Sequence, residues 1–175
     1  IMQELGKTLT PSPLLATAVL GVSIIKFMGS EEQKNTYLTK IVSGETTTAL
    51  AIDEGSHHNP FDIETTAKLE GKSWILNGKK VFVIDGASAD TLLIVARTSG
   101  KSGESNGLSV FIADKNSAGL EIAKISTADC RNYANITMSN LTLDQNALLG
   151  ELDVAGEVVE KVLDLGRIVM ASEML

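Results

Sequence analysis

Short runs of β-forming residues, separated by Gly, Asn and Asp, occupy the chain from residue 46 to about residue 150. No helical period interrupts these runs, which disfavours a parallel sheet built from strand–helix–strand units. Turn signals at this spacing predict an antiparallel sandwich or barrel of roughly a hundred residues. The expected strands are 47–53, 63–70, 73–76, 80–84, 91–98, 108–114, 120–127 and 134–143.

The stretch NGKKVFVIDG at 77–86 supports two more specific predictions. Asn-Gly is typical of a two-residue hairpin, because both turn residues need a positive φ, which Gly adopts freely and Asn tolerates. We therefore expect residues 74–76 to pair antiparallel with the segment that begins at Val81. Residues 81–84 are all apolar, and a strand without polar alternation is covered on both faces. We expect something to pack against its outer face.

Helical patterns lie on both sides of this β-rich region. Residues 11–29 carry apolar side chains at helical spacing. Ser30 followed by Gln33 predicts a capped start for a second helix, which Gly44 ends. After residue 151 the helical period returns, with apolar residues at Val154, Val158, Val162, Leu165, Val169 and Met170.

The three regions together predict an α+β multidomain fold. We expect 1–45 to be the end of a helical domain, 46–150 to be a middle β-domain, and 151–175 to be the first helix of a helical bundle. The chain opens on Ile1 with no helix start signal, and it stops at Leu175 within a helical pattern. We therefore expect it to be a fragment of a longer protein.

Composition excludes several classes of function. The 175 residues carry a net charge of −7, whereas a nucleic-acid surface needs clustered Lys and Arg. The longest apolar stretch, at 14–28, is interrupted by polar residues and is too short to span a membrane. Cys130 is the only cysteine, so no internal disulfide is possible and a reducing cytoplasm is the expected compartment.

No side-chain constellation for catalysis is visible. His57 and His58 are adjacent in a polar turn, and no nearby Cys or carboxylate pair completes a metal site. Gly100-Lys101-Ser102 resembles the end of a phosphate-binding loop, but Val95 stands where its first glycine belongs. A bound cofactor is therefore a better enzyme hypothesis than chemistry by side chains alone.

Short motifs in a fixed order extend along the whole chain. They are FMGSEEQK (27–34), SGE (43–45), WILNGKK (74–80), ART (96–98), GLSVF (107–111), LLGE (148–151) and LDLGR (163–167). Together they resemble the acyl-CoA dehydrogenase family, in its small-subunit-like type. The resemblance implies helices at both ends, a middle β-domain, and FAD held in a crevice between that domain and the C-terminal helices. It also implies oxidation of the Cα–Cβ bond of an acyl-CoA thioester.

The resemblance assigns cofactor contacts to two segments. One is the apolar strand that contains Phe82, Val83 and Ile84, which would lie against the isoalloxazine ring; the other contains Leu50, Ile52 and Asp53. Ile84 stands where the family has a hydroxyl for flavin N5. Asp53 stands where a hydroxyl meets the pyrimidine edge, and two negative charges about 4 Å apart repel by roughly 4 kcal/mol at an effective dielectric near 20.

Substrate contacts and the catalytic base follow from the same resemblance. The turn with His57 and His58 replaces a Gly-rich turn near the thioester, so its histidines would contact the substrate. The alternative is that this turn points to solvent and contacts no substrate. Asp164 and Arg167 match a polar pair near the acyl-CoA and the subunit contact, although such a pair is also an ordinary helix-surface ion pair. In one subfamily the base lies at the position of Gly166, and in most others it lies beyond Leu175, so we predict no catalytic residue in this chain.

Two functions remain open at this stage. The first is an FAD-dependent acyl-CoA dehydrogenase, present as an incomplete and inactive chain that forms homo- or hetero-oligomers and passes electrons to an electron-transfer flavoprotein. The second is a non-catalytic partner subunit of the same fold whose flavin site has decayed, which Ile84, Asp53 and the histidine turn favour. An unrelated β-sandwich binding module would leave the ordered motifs as coincidence.

Overall fold

The computed structural model describes residues 1–129 and 131–175, so the predictions made for Cys130 lie outside the described residues. The N-terminal part is helical. After the short helix α1 (Met2–Thr8), a π-helical segment (Leu14–Gly21) continues directly into α2 (Val22–Met28), and α3 (Glu31–Val42) follows. The predicted helix at 11–29 therefore begins at Leu14, and its first half is wound more widely than an α-helix.

The predicted start of α3 is confirmed. The Ser30 hydroxyl accepts a hydrogen bond from the backbone N–H of Gln33 at 3.2 Å. In return, the Gln33 side chain accepts one from the backbone N–H of Ser30 at 3.0 Å. This reciprocal arrangement satisfies two donors that a helix start leaves unpaired. Beyond the end of α3, Gly44 has φ +77°, a conformation that glycine adopts without steric cost.

The β-rich region forms a curled, half-barrel sheet. In the described residues its strands are β1 (Thr48–Ala51), β2 (Thr66–Glu70), β3 (Ser73–Ile84), β4 (Thr91–Arg97), β5 (Leu108–Asp114), β6 (Leu120–Ile125) and β7 (Tyr133–Asp144). Their order is β1-β4-β2-β3-β7-β6, with β5 paired to β4. The α+β fold class is confirmed. Most neighbours are antiparallel, but β1 runs parallel to β4, which the turn signals did not predict.

The hairpin predicted at Asn77-Gly78 is wrong, because β3 runs straight through these residues. The two-residue turn lies earlier, at Gly71-Lys72, and joins β2 to β3. Gly78 instead marks a β-bulge, where the register with β7 shifts between Leu76 and Gly78. A Cβ at Gly78 would lie 2.3 Å from the Thr65 hydroxyl, so this position needs glycine for close approach as well as for its backbone angle.

Buried apolar side chains cover both faces of the sheet. Leu92, Ile94 and Ala96 of β4 point into the curl, where Trp74 and Phe111 meet with ring centroids 5.0 Å apart. Leu93 and Val95 point the other way and pack with the helices. This is why β4 reads as an unbroken apolar run.

The last helix, α4 (Ala155–Glu173), lies on the helical side of the sheet. Its buried face contains Ala155, Val159, Val162 and Gly166. Of the six apolar residues that the sequence places at helical spacing, Val162 is buried, and Val158, Leu165, Val169 and Met170 are partly buried. Val154 instead directly precedes the helix and is 50% exposed. In the described residues the α-helices therefore end at Val42 and resume at Ala155, with one 3-10 turn (Gln145–Ala147) between them, and the division into domains at 45 and 150 stays a prediction.

Candidate functional site

A second β-bulge turns the side chain of Phe82 away from the core. The register of β3 with β7 shifts between Lys80 and Val83, which leaves one extra residue on β3. Phe82 has φ +50°, an uncommon angle for a bulky residue, and it is 57% exposed. Bulges of this kind re-aim side chains and occur often beside active sites. The expectation that residues 81–84 are covered on both faces is thus wrong for Phe82 within this chain.

The bulge also joins the two segments that were predicted to contact a cofactor. The backbone N–H of Val81 donates a hydrogen bond to the carbonyl oxygen of Asp53 at 2.8 Å. The next N–H, that of Phe82, donates to the side chain of Asn135 at 3.3 Å. The ring of Phe82 lies edge-on to Tyr133, with centroids 6.2 Å apart. The sequence separated these segments by nearly thirty residues, and the fold places them side by side.

A buried ion pair fixes this junction. The ammonium group of Lys80 donates to Oε1 of Glu54 at 2.7 Å and to the carbonyl oxygen of Ile52 at 2.9 Å. The Glu54 carboxylate also accepts backbone N–H groups from Glu64 at 2.8 Å and from Thr65 at 3.1 Å. Lys80 thereby ties the loop after β1 to β3, and Glu54 ties the same loop to the segment before β2.

Burial and ion pairing shift the pKa values of Lys80 and Glu54 in opposite directions. Burial lowers the pKa of Lys80 to about 8, although the charge of Glu54 opposes the shift. Burial alone would raise the pKa of Glu54, but the charge and hydrogen bond of Lys80, together with the hydrogen bonds from Thr65 and Glu64, outweigh it and hold this pKa below its usual value. The pair is therefore held in its ionic form at neutral pH.

The Asp53 side chain is paired with the histidine turn. Nδ1 of His58 lies 2.9 Å from both carboxylate oxygens of Asp53. The backbone N–H of Asn59 also donates to this carboxylate, at 3.3 Å. His57 instead contacts the hydroxyl of Ser56 at 3.0 Å and is exposed. Of the two histidines in this turn, His58 contacts Asp53 and His57 contacts Ser56 instead.

The other predicted cofactor residues are more deeply placed. Leu50 and Ile52 are buried in the core between the sheet and the helices. Val83 is buried in the curl of the sheet, and Ile84 is half buried and pairs with Tyr133 at the start of β7. Their side chains pack within the protein, so the more accessible groups of the site are Phe82 and the histidine turn, with Asp53 half buried between them and the core.

The predicted substrate pair on α4 forms a surface ion cluster. Nη1 of Arg167 lies 2.5 Å from Asp164 and 3.2 Å from Glu160, and all three side chains are at least 42% exposed. In the described part of the chain the hydrogen bonds of Asp164 and Arg167 stay on α4. Gly166 faces inward, where an added Cβ would lie 2.9 Å from Cδ2 of Leu20. The position that carries a base in one subfamily therefore packs against the N-terminal helices.

Sequence reasoning missed Lys80 and Glu54 as site residues, and a signal for Lys80 was present. Trp74 and Leu76 lie on the inner face of β3, and the two-residue period of a strand carries that face on to position 80. A lysine on a core face needs a buried partner. Glu54 follows Asp53 immediately, yet nothing local in the sequence indicates that it meets β3.

In this fold a curled sheet packs against helices, and a bulged strand carries the exposed Phe82 close to the buried ion pair of Lys80 and Glu54. Residues 49–145 match the family model for the acyl-CoA dehydrogenase middle domain. The chain belongs to the acyl-CoA dehydrogenase family, as the ordered motifs predicted.

Similar proteins support this assignment. The chain is 31% identical over 170 residues to the 3-(aryl)acrylate reductase of Clostridium sporogenes, and this match covers 95% of the chain and 43% of the reductase. It is 30% identical over 156 residues to the human mitochondrial short-chain specific acyl-CoA dehydrogenase, covering 87% of the chain and 37% of that enzyme. The butyryl-CoA dehydrogenase of Megasphaera elsdenii has the same fold, with a TM-score of 0.84 and 25% identity over 91% of this chain and 43% of that one.

The chain spans about two fifths of the length of these curated relatives. In the part of the chain that the structure describes, the helices are too short or too polar to cross a membrane.

The residues present fit a planar aromatic cofactor. Phe82 offers a ring face at the bulge, and aromatic rings of ligand and protein pack with this kind of surface. The strain of a positive φ at Phe82 is the type of backbone cost that persists at ligand sites. The backbone of Asp53 lies beside this bulge, because its carbonyl oxygen accepts the N–H of Val81, and Lys80 holds the same loop through the carbonyl oxygen of Ile52.

Proposed function

We propose that this chain is part of an FAD-dependent acyl-CoA dehydrogenase that forms the α,β-double bond of an acyl-CoA thioester. The observation that carries the proposal is the hydrogen bond from Val81 to the carbonyl oxygen of Asp53, at the bulge that turns Phe82 outward. It brings together the two segments that the family resemblance assigns to the flavin. When bound, FAD would supply the acceptor for the hydride that leaves Cβ.

The residues of this chain would bind and orient the reactants. Phe82 would cover one face of the flavin, with Val83 and Ile84 placing the strand beneath it and Leu50 and Ile52 supporting the Asp53 loop. His57 and His58 would lie near the thioester. Asp164 and Arg167 would lie near the acyl-CoA or a subunit contact, for which their exposure on α4 leaves them free.

The α-proton would be removed by a base outside this chain. Gly166 has no ionisable group, and its backbone packs on Leu20. We further propose that the complete protein is cytoplasmic, forms homo- or hetero-oligomers with related chains, and passes electrons to an electron-transfer flavoprotein. Taken alone, the 175 residues would be inactive, because they span about two fifths of the length of the curated relatives and hold no residue that we assign as the base.

A second candidate function is a non-catalytic partner subunit of the same fold. Three departures favour it: Ile84 has no hydroxyl to offer a flavin, Asp53 places a carboxylate where a neutral group is expected, and the turn with His57 and His58 replaces a Gly-rich turn. The arrangement of Asp53 with His58 bears directly on the second of these.

Visible absorbance of the purified full-length protein, followed by anaerobic titration with acyl-CoA thioesters of increasing chain length, separates the two functions. The dehydrogenase should be yellow and should bleach with a preferred chain length. A colourless protein that takes up no FAD, or a bound flavin that no acyl-CoA reduces, would contradict the dehydrogenase and support the partner subunit.

A further inference from the structure

His58 and Asp53 form a hydrogen-bonded pair at the edge of the candidate site. Both carboxylate oxygens of Asp53 lie 2.9 Å from Nδ1 of His58. A carboxylate only accepts hydrogen bonds, so Nδ1 must carry the proton that joins them. The backbone N–H of Asn59 adds a further hydrogen bond to Oδ1 at 3.3 Å. The carboxylate is thus held by the turn that follows it.

The pair lies next to the strand segment that carries Phe82. The carbonyl oxygen of Asp53 accepts the N–H of Val81, the residue next to Phe82 on β3. Lys80 is the other basic side chain near this loop, and its hydrogen bonds go to Ile52 and Glu54. Among the residues that the structure describes, His58 is therefore the basic side chain that contacts the Asp53 carboxylate directly.

We propose that His58 holds the Asp53 carboxylate against the histidine turn through a hydrogen bond, so that a flavin bound beside Phe82 is easier to reduce. This inference rests on the proposed FAD-dependent function. A reduced flavin carries negative charge, and an uncompensated carboxylate at its edge would oppose reduction. A charge-assisted hydrogen bond from the imidazole draws that negative charge toward the turn. His58 is then a positioning residue that compensates for the unusual aspartate.

Partial exposure sets the size of the effect. The side chains of His58 and Asp53 are 47% and 28% exposed, so water weakens their field. We expect removal of the imidazole to lower the equilibrium constant for reduction of bound FAD by about tenfold, which is about 30 mV for two electrons.

The test compares full-length holoproteins that carry His58→Asn or His57→Asn. His57 lies in the same turn and contacts Ser56, so its variant is the matched control. The reduction potential of bound FAD is measured by equilibration with a reference dye. We expect His58→Asn to lower it by about 30 mV and His57→Asn to leave it unchanged. The double variant Asp53→Asn/His58→Asn should restore the wild-type potential, because the carboxylate charge is then also gone.

The outcomes separate this inference from the proposed function. A bound flavin whose potential is the same in the wild type and in His58→Asn overturns the inference and leaves the dehydrogenase intact. An equal loss in both histidine variants also overturns it. A full-length protein that takes up no FAD contradicts the proposed function, and the inference fails with it.

Discussion

The ammonium group of Lys80 lies 2.7 Å from a carboxylate oxygen of Glu54, and the Lys80 side chain is completely buried. The pair connects three segments that are distant in the sequence: the loop after β1, the segment before β2, and β3 itself. Because Asp53 lies between Ile52 and Glu54, the pair also fixes the backbone beside the bulge at Phe82. Its main contribution is therefore to the geometry of the candidate site.

Replacing Lys80 by methionine should strongly destabilise the protein. The substitution leaves the Glu54 carboxylate buried without its cation, a change that typically costs 3–5 kcal/mol. Lys79 is exposed on the same strand, so Lys79→Met should change the free energy of unfolding by less than about 0.5 kcal/mol. Urea denaturation of both variants measures the difference. Equal stability of the two variants would show that the pair makes no net contribution.

The pair should also give the stability a dependence on alkaline pH. The pKa of Lys80 is about 8 in the folded protein and lies near 10.5 in an unfolded chain. Between these values the unfolded state binds more protons, so the Lys80 contribution to stability rises as the pH increases. Subtracting the stability of Lys80→Met from that of the wild type at several pH values isolates this contribution. A difference that stays flat from about pH 8 to pH 10 would contradict the burial of a charged Lys80.

The carboxylate of Glu54 should make the free energy of unfolding depend on pH in the acid range. Its folded-state pKa is lowered, so the stability that ionised Glu54 contributes is present above its unfolded pKa of about 4.5 and is lost as the pH falls through the folded value. Glu54→Gln should therefore flatten the acid limb of the stability profile. Glu64→Gln, in which an exposed carboxylate is neutralised nearby, should retain the slope.

Phe82 should matter more for binding than for folding. Its ring is largely exposed, so Phe82→Ala should change the free energy of unfolding by no more than about 1 kcal/mol. Loss of a stacked aromatic should weaken FAD binding by about 1 kcal/mol, or roughly fivefold. Flavin fluorescence titration of the full-length protein measures the affinity. Phe27→Ala, which removes a partly exposed ring on α2, should leave it unchanged, and an equal loss in both variants would count against a specific contact.

Two glycines of α4 should differ in their tolerance of alanine. A Cβ at Gly156 would lie 2.1 Å from the backbone oxygen of Ser105, which cannot yield without a shift of the chain. A Cβ at Gly166 would meet the movable end of the Leu20 side chain at 2.9 Å, and alanine gains up to about 1 kcal/mol in helix propensity. Gly156→Ala should therefore lower the melting temperature clearly, whereas Gly166→Ala should change it little. Similar melting temperatures would contradict this packing.

The sequence predicted those features that depend on neighbouring residues. The capping box of Ser30 and Gln33 lies within four positions, and both its hydrogen bonds are present. The order of helix, sheet and helix follows from periodicity in the same way. The ordered motifs added the family, which periodicity alone does not specify.

Features that depend on distant residues were not predictable from local patterns. Asn77-Gly78 indicates a positive φ, and both a hairpin and a bulge can use it. Thr65, which leaves no room for a side chain at Gly78 in the bulge, lies thirteen residues before it. The same limit applies to Phe82, whose exposure arises from a register shift against β7. The contact of Lys80 with Glu54 closes a loop of more than twenty residues, and no local signal marks its partner.

Trp74 is the only tryptophan, and it lies in the curl of the sheet against Phe111. Its intrinsic fluorescence therefore originates at a single known place, away from the layer of helices. A red shift of the emission reports the opening of the curl, while circular dichroism follows the helices. Comparing the two transitions would reveal whether sheet and helices unfold together. A flavin bound beside Phe82 would also accept excitation energy from Trp74. The extent to which it quenches the Trp74 fluorescence would then report the distance between the indole and the flavin.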